Sequence, residues 1–347
     1  MSYSFCIIAN PCSGNGRGRR ALPSLRKFAA DNNGRVLVSR YSGHASALAE
    51  QASQQCDLIF AAGGDDTVRE VLDGIHAEKN VMGIVPLGTF NNLATSLFLP
   101  PDPLECLEQS LHNGFCCKID LGRIERGLLF TESIGMGIDA CAWARAPRKE
   151  PKGIWRWIVG LKLGISSLLD FTPQTCSISL DGGPIMKLHD VMQITIANST
   201  FYCAGVQMTP HAKMNDGLLD ICIIMRMNKL KFLAMAPLFY FGKHINDYTG
   251  VSYYQARKVT VYMEESTPVR IDGKLASSAE WPLRVSALSN SLTIRIPKQC
   301  RNTNALIWPA PADCENKKKS HPSGRNRRKK TPAPSEEETG TESLRQY

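Results

Sequence analysis

The sequence predicts two domains, an α/β domain on a parallel sheet and then an antiparallel β-sandwich. Three observations carry this. Short apolar runs alternate with helical patterns through the first third of the chain, as in βαβ units whose sheet is covered on both faces. From about Cys116 strand-like runs follow one another with hairpin turns between them, as in antiparallel sheets. Three glycine-bearing loops fall at the ends of apolar strands in the first part, where open α/β sheets place ligands.

Taken in order, Phe5 to Ala9 is an apolar strand stopped by Asn10-Pro11, and Leu22 to Asn32 is helical. Arg35 to Ser39 is a second strand, and Ala45 to Ser53 a second helix opened by Gly43-His44. Leu58 to Ala62 is a third strand ending in Gly63-Gly64; Val68 to Ile75 is helical; Val81 to Val85 is a fourth strand. The later strands are Cys176 to Leu180, Val191 to Ala197, Leu218 to Ile224, Lys258 to Tyr262, Val269 to Asp272 and Ser291 to Ile296. Asp181-Gly182-Gly183 and Asp272-Gly273 read as hairpin turns. Helices at Gly153 to Phe171 and Lys229 to His244 interrupt the strands. These patterns divide the chain into residues 1–118, 119–298 (its last strand region free to return toward the first domain) and a tail at 299–347.

At 347 residues, 43% hydrophobic, the chain is long for one core and too apolar for global disorder. The 12 cysteines are scattered, with no C-x-x-C pair. That pattern fits reduced thiols packed as small core residues, not a disulfide scaffold or a zinc site. The start has no basic n-region and the chain no run of about 18 apolar residues, so the expected place is the cytoplasm, with peripheral membrane contact left open. The net charge of +9 is concentrated in Lys317, Lys318, Lys319, Arg325, Arg327, Arg328, Lys329 and Lys330, with no acid among them. The Pro-, Ser-, Lys- and Glu-rich tail is expected to be disordered and to carry no specific nucleic-acid site.

The chemistry sits in the three loops. They are Asn10-Pro11-Cys12-Ser13-Gly14-Asn15-Gly16, Gly63-Gly64-Asp65-Asp66-Thr67 and Pro86-Leu87-Gly88-Thr89-Phe90-Asn91-Asn92. Glycine lets backbone approach a phosphate closely, and a helix N-terminus offers free N–H groups. Ser13, Thr67 and Thr89 add hydroxyls. Any one such turn is common; three at strand ends are a phosphate-binding constellation. A dinucleotide fingerprint and a Walker A loop are both absent.

In these loops the chain resembles the diacylglycerol kinase catalytic-domain family, which includes bacterial lipid kinases, sphingosine kinases and ceramide kinases. That family writes them N-P-x-S-G, G-G-D-G-T-x-x-E-V and P-L-G-T-x-N-D. The resemblance continues through Asn198, Ala204-Gly205, Pro210-His211-Ala212, Asn215-Asp216-Gly217-Leu218-Leu219-Asp220, Asp272-Gly273 and Pro282-Leu283, in one order from Ser4 to Pro297. It implies a Rossmann-like nucleotide domain of the NAD kinase/diacylglycerol kinase type, a C-terminal β-sandwich and an active site between them. It implies ATP bound through Asn10, Ser13, Gly14, Ser39, Gly63, Gly64, Asp65, Asp66, Thr67, Glu70, Gly88, Thr89 and Asn91. It implies Mg²⁺ held by Asp216 with the backbone carbonyls of Lys213 and Leu218, and a lipid hydroxyl as acceptor at a membrane surface, with a homodimer left open.

Three positions depart from the family pattern. Asp66 stands at the second glycine of G-D-G and sets a carboxylate beside the phosphates. Lys274 replaces the glutamate of D-G-E, the proton acceptor the resemblance implies, so Asp65 or Asp272 is expected to act as base or Lys274 to neutralise phosphate charge. Asn92 replaces the aspartate of G-N-D. The expectation is an ATP-dependent lipid kinase, with a catalytically impaired lipid- or nucleotide-binding homologue as the alternative. Ile154, Trp157, Ile158, Leu161, Ile165, Leu168 and Leu169 are expected on one helix face, against the β domain or against lipid.

Overall fold

The computed structural model describes residues 4–125, 127–146, 154–202, 205–245, 250–263, 267–276, 281–303 and 305–306; the side chains of residues 154–158, 160–161 and 302 fall outside that description. The basic run at 317–330 and Ala204 lie outside the described residues.

The first domain alternates as the apolar pattern predicts. Strands β1 (Phe5–Ala9), β2 (Arg35–Val38), β3 (Leu58–Gly63) and β4 (Val81–Pro86) are joined by helices α1 (Ser13–Asp31), α2 (His44–Ser53) and α3 (Asp65–Gly74). All pair in parallel, in the order β4-β3-β1-β2. Strands β1 and β3 are buried throughout, because helices cover both faces. Two more helices, α4 (Asn92–Ser96) and α5 (Pro103–Asn113), follow. The second of these has no glycine-rich approach, but Asp102 caps it by accepting from Leu104 N and Glu105 N, with Pro103 in its first turn.

Two expected boundaries move. Helix α1 starts nine residues before Leu22, broken by left-handed backbone at Gly14, Asn15 and Gly16. Helix α3 begins at Asp65, not Val68, so Asp65 and Asp66 occupy its first turn, where acidic side chains suit the N-terminal dipole.

The second domain is antiparallel. Its elements are β5 (Gly114–Ile124), β6 (Leu129–Phe130), β7 (Ser133–Gly137), α6 (Ile138–Ala144), α7 (Ile154–Asp170), β8 (Gln174–Leu180), β9 (Met186–Ala197), β10 (Leu219–Met225), α8 (Lys229–Ala234), α9 (Ala236–Tyr240), β11 (Val251–Ala256), β12 (Lys258–Tyr262), β13 (Val269–Ile271), β14 (Lys274–Leu275) and β15 (Leu283–Pro297). The second helix interruption is two short helices instead of one. Met235 ends α8, and Pro237, which has no N–H to donate, sits in the first turn of α9. On α7 Leu168 is buried but Leu169 is 57% exposed, so the expected apolar face does not include both. Asp272 (φ 42) and Gly273 (φ 83) form the left-handed tip between β13 and β14.

Strand β15 joins the domains. Its first part pairs antiparallel with β12, and nearly its whole length pairs antiparallel with β5. Near its end Ile294 and Arg295 pair in parallel with Met82 and Gly83 of β4. Buried Arg295 donates to the carbonyls of Ser110 (2.7 Å) and Leu111 (3.1 Å) at the end of α5. One hydrogen-bonded sheet therefore runs through both domains, and the cleft between them has a fixed floor.

Candidate active site

The three glycine loops meet at the carboxyl ends of β1, β3 and β4, and the β13–β14 turn closes over them. Between them lies a cavity of about 340 Å³ lined by Asn10, Ser13, Gly14, Gly64, Asp65, Asp66, Thr67, Gly88, Thr89, Phe90, Asn92, Trp143, Arg270, Asp272 and Gly273, among others. Glycine is required where the loops touch. A Cβ on Gly88 would stand 2.3 Å from the Cα of Gly64, and one on Gly14 (φ +57) would stand 2.1 Å from the carbonyl oxygen of Leu87. Side chains lock the contact: Asn10 Nδ2 donates to Thr67 Oγ1 (3.0 Å), and Arg17 Nη1 to the Gly88 carbonyl (3.1 Å). Asn91 clasps Gly88, accepting from its N–H at 2.8 Å and donating to its carbonyl at 3.2 Å.

Most of the expected phosphate-binding residues line this cavity. Others support it from behind. Ser39 is buried, its N–H donating to the Ala9 carbonyl. Glu70 turns to the start of α2, where it accepts from Ala45 N (3.3 Å) and Ser42 Oγ (3.4 Å). Gly63 lies beneath the side chain of Thr67.

The two largest departures from the family pattern meet each other. Lys274 Nζ reaches across the cleft to Asp66 Oδ1 at 2.9 Å, with the side chains 41% and 58% exposed. The carboxylate that would repel phosphates thus faces a cation from the other domain.

Asp272 is a tie between turns. Its Oδ2 accepts from Thr131 N (2.8 Å) and Oγ1 (3.3 Å), and its Oδ1 from Glu132 N (2.9 Å) and Ser133 N (3.0 Å). Burial raises its pKa while those donors hold it down. With both oxygens occupied, Asp272 is poorly placed to take a proton. Asp65 is better placed. It lines the cavity, accepts from Leu93 N at 3.4 Å, and burial pushes its carboxyl up to about 6.

Two residues of the site carry no motif. Glu132 is 2% exposed, lies within hydrogen-bonding reach of Asp65 and accepts from Asn92 Nδ2 at 2.9 Å. Buried Arg270 lies with its guanidinium 4.0 Å from the Tyr202 ring centroid and donates from Nε to Asp139 Oδ2 at 3.2 Å. Each is a lone charged residue inside an apolar strand run, Leu128 to Ile138 and Val269 to Ile271. That is the one sequence signal that marks them, since a buried charge needs a partner.

Asp216 lies outside the cavity lining, and its Oδ1 accepts from Leu218 N at 2.9 Å. Asp120 and Asp220 stand near it, and burial raises all three carboxyls, Asp220 to about 6. Asp120 spends both oxygens on Gly217 N and Asn290 N. Asp220 Oδ2 is buried without a partner, and Asp216 adds repulsion. Tyr253 and Gln255 donate to the other Asp220 oxygen, and Lys213 offsets part of the charge. The remaining unmet carboxylate oxygen fits a hard cation, although no group of three or more His, Cys, Asp or Glu arranged to hold a metal occurs among the described residues.

Comparison with known proteins agrees with this geometry. Residues 4–124 match the diacylglycerol kinase catalytic domain, and residues 132–296 match the YegS C-terminal NAD kinase beta sandwich-like domain. A diacylglycerol kinase of Bacillus subtilis is 30% identical over 274 residues, covering 77% of this chain and 88% of that protein. One from Staphylococcus carnosus is 25% identical over 307 residues, covering 86% and 97%. The crystal structure of a diacylglycerol kinase from Bacillus anthracis superposes with a TM-score of 0.66 at 20% identity over 86% of this chain and 99% of that one, a likeness of fold. Two domain matches in chain order, and a relative sharing 30% identity along most of both chains, show that the chain belongs to the diacylglycerol kinase catalytic-domain family.

Proposed function

We propose that this chain transfers the γ-phosphoryl group of ATP to a lipid hydroxyl. One observation carries the reading: the three glycine loops and the β13–β14 turn enclose a single cavity with Asp65 at its wall. Loop N–H groups and the hydroxyls of Ser13, Thr67 and Thr89 hold the phosphates. Lys274, Arg270 and Arg17 supply positive charge. The acceptor oxygen bonds to the γ-phosphorus as the bond to the ADP oxygen breaks, and the hydroxyl proton passes to the Asp65 carboxylate. Asp216, with the backbone carbonyls of Lys213 and Leu218, would hold Mg²⁺, which there supplies structural charge compensation.

The acceptor is diacylglycerol or a sphingoid or ceramide-type lipid met at a membrane surface. Helices α8 and α9 offer the face for that meeting: Leu230 is 76% and Phe241 62% exposed, beside Lys229, Lys231 and Lys243, with no acidic residue from Arg226 to Ile245.

Purified protein, Mg²⁺, radiolabelled ATP and vesicles carrying each acceptor test the reading. Labelled lipid is expected, falling by about 10²-fold or more in Asp65→Asn. Folded protein that labels none of them overturns it. The Asp66–Lys274 pair favours a second reading, an impaired nucleotide- or lipid-binding homologue acting as sensor or adaptor. If the double variant Asp66→Gly, Lys274→Glu gains activity tenfold or more over wild type, on the order of 1.4 kcal/mol of transition-state stabilisation, the second reading stands.

A further inference from the structure

Glu132 is buried in the wall behind Asp65, on the turn between β6 and β7, and it does not itself line the cavity. Four groups face it. Asp65 comes from the start of α3, Asn92 from the start of α4, Asp272 from the β13–β14 turn and Arg270 from β13. Asp272 is already saturated by backbone donors, and Arg270 is paired with Asp139. Asn92 Nδ2 donates to Oε2 of Glu132, which fixes that oxygen as an acceptor. The other oxygen, Oε1, is buried and finds no donor. A carboxylate oxygen in that position is an unmet acceptor in low dielectric. A carboxylic O–H there is a donor, and the carboxylate within its reach is Asp65.

We propose that Glu132 is a positioning residue that keeps one proton in a carboxyl pair with Asp65, so that Asp65 carries the negative charge facing the cavity. The inference rests on the kinase reading for its purpose but on geometry for its existence. The directions of titration agree. Burial, then the neighbouring charges of Asp65 and Asp272, raise Glu132 well above its ordinary range. Burial raises Asp65 to about 6, while the bond to Glu132 favours its charged form. Two carboxyls within hydrogen-bonding reach share one proton, and Glu132, enclosed and away from the cavity with its Oε1 otherwise unmet, is the side that keeps it. In the transfer step that proton stays in place. The acceptor hydroxyl gives its own proton to Asp65 while Glu132 holds the Asp65 carboxylate in line.

Carboxyl ¹³C NMR titration tests this without reference to lipid turnover. Aspartates and glutamates are labelled in separate samples, and Asp65→Asn and Glu132→Gln assign the signals. Asp65 is expected to titrate near pH 6 and Glu132 clearly above it. Glutamine keeps a donor toward Asp65 and carries no charge, so Glu132→Gln is expected to leave the Asp65 midpoint within about half a unit. Asn92→Asp adds a like charge and is expected to move both midpoints up. Glu132 losing its proton before Asp65 would overturn the inference, and so would a fall of a unit or more in the Asp65 midpoint in Glu132→Gln. One folded variant of the two suffices for the assignment, since it removes its own signal and shifts its partner's, and the order in the wild type then decides. A chain that phosphorylates lipid but shows the wrong order loses this inference alone, and the right order without phosphorylation removes only the kinase reading.

Discussion

Asp65 is held at the cavity wall against its own solvation, and that placement sets a testable dependence of stability on pH. Its carboxyl titrates at about 6 in the folded chain against an ordinary value of 3.8. The native state therefore holds the proton more tightly than the unfolded chain. Stability from this group is full below about pH 4 and is lost as pH rises to about 6, leaving a penalty on the order of 2–3 kcal/mol above that. Asp65→Asn is expected to raise the melting temperature at pH 8 by several degrees and to change it little at pH 4; melts at both values check this, and an equal effect at both would contradict it. The Asp66–Lys274 pair is different in kind. Both side chains are well exposed, so its contribution to stability is about 0–1 kcal/mol, and its consequence is the charge balance at the mouth of the cleft. Asp65, Asp66 and Lys274 were legible as candidate residues of the cleft because they sit in or beside glycine turns. Glu132 and Arg270 were not, because their partners lie far along the chain and only folding brings them to the cavity.

At the level of elements, the three loops work as one because two of them touch through glycine. Gly88→Ala puts a methyl group into the Cα of Gly64. The loops must then separate, with a loss of about 1–3 kcal/mol in stability and of the shared cavity. Nucleotide titration is expected to show at least about tenfold weaker ATP binding, a 1.4 kcal/mol loss. Gly164, exposed on α7 with nothing within 4 Å of a Cβ, supplies the control. Gly164→Ala is expected to stabilise by up to about 1 kcal/mol through helix propensity and to leave ATP binding unchanged. If both variants bind ATP as the wild type does, the loop contact does not build the site. The parallel strands were readable as uniformly apolar runs. The split between α8 and α9 followed from Pro237 and was missed because the apolar pattern runs on across it.

For the molecule as a whole, the faces matter. The exposed Leu230 and Phe241 beside the lysines of α8 and α9 are the surface on which the proposed membrane approach is tested. Wild-type protein is expected to float with anionic vesicles and to release as salt rises, each lysine near the surface contributing up to about 1 kcal/mol. Leu230→Asp with Phe241→Asp is expected to weaken that binding about tenfold or more, since two charges replace apolar groups at the interface. Unchanged flotation would move the membrane face elsewhere. Among the described residues no helix is long and apolar enough to cross a membrane.

What the sequence determined by itself was the local part: apolar period, turn glycines and strand ends, which fix the two-domain class and the three glycine loops. Those are short-range properties, set by backbone sterics and by which residues leave water. Only the tertiary structure decided how β15 carries one sheet through both domains, that Lys274 meets Asp66, that Asp272 is consumed by backbone donors, and that Glu132 stands behind Asp65. Each of these is a pairing of groups far apart in sequence. Its energy depends on burial and on the partner's charge, which no local pattern encodes.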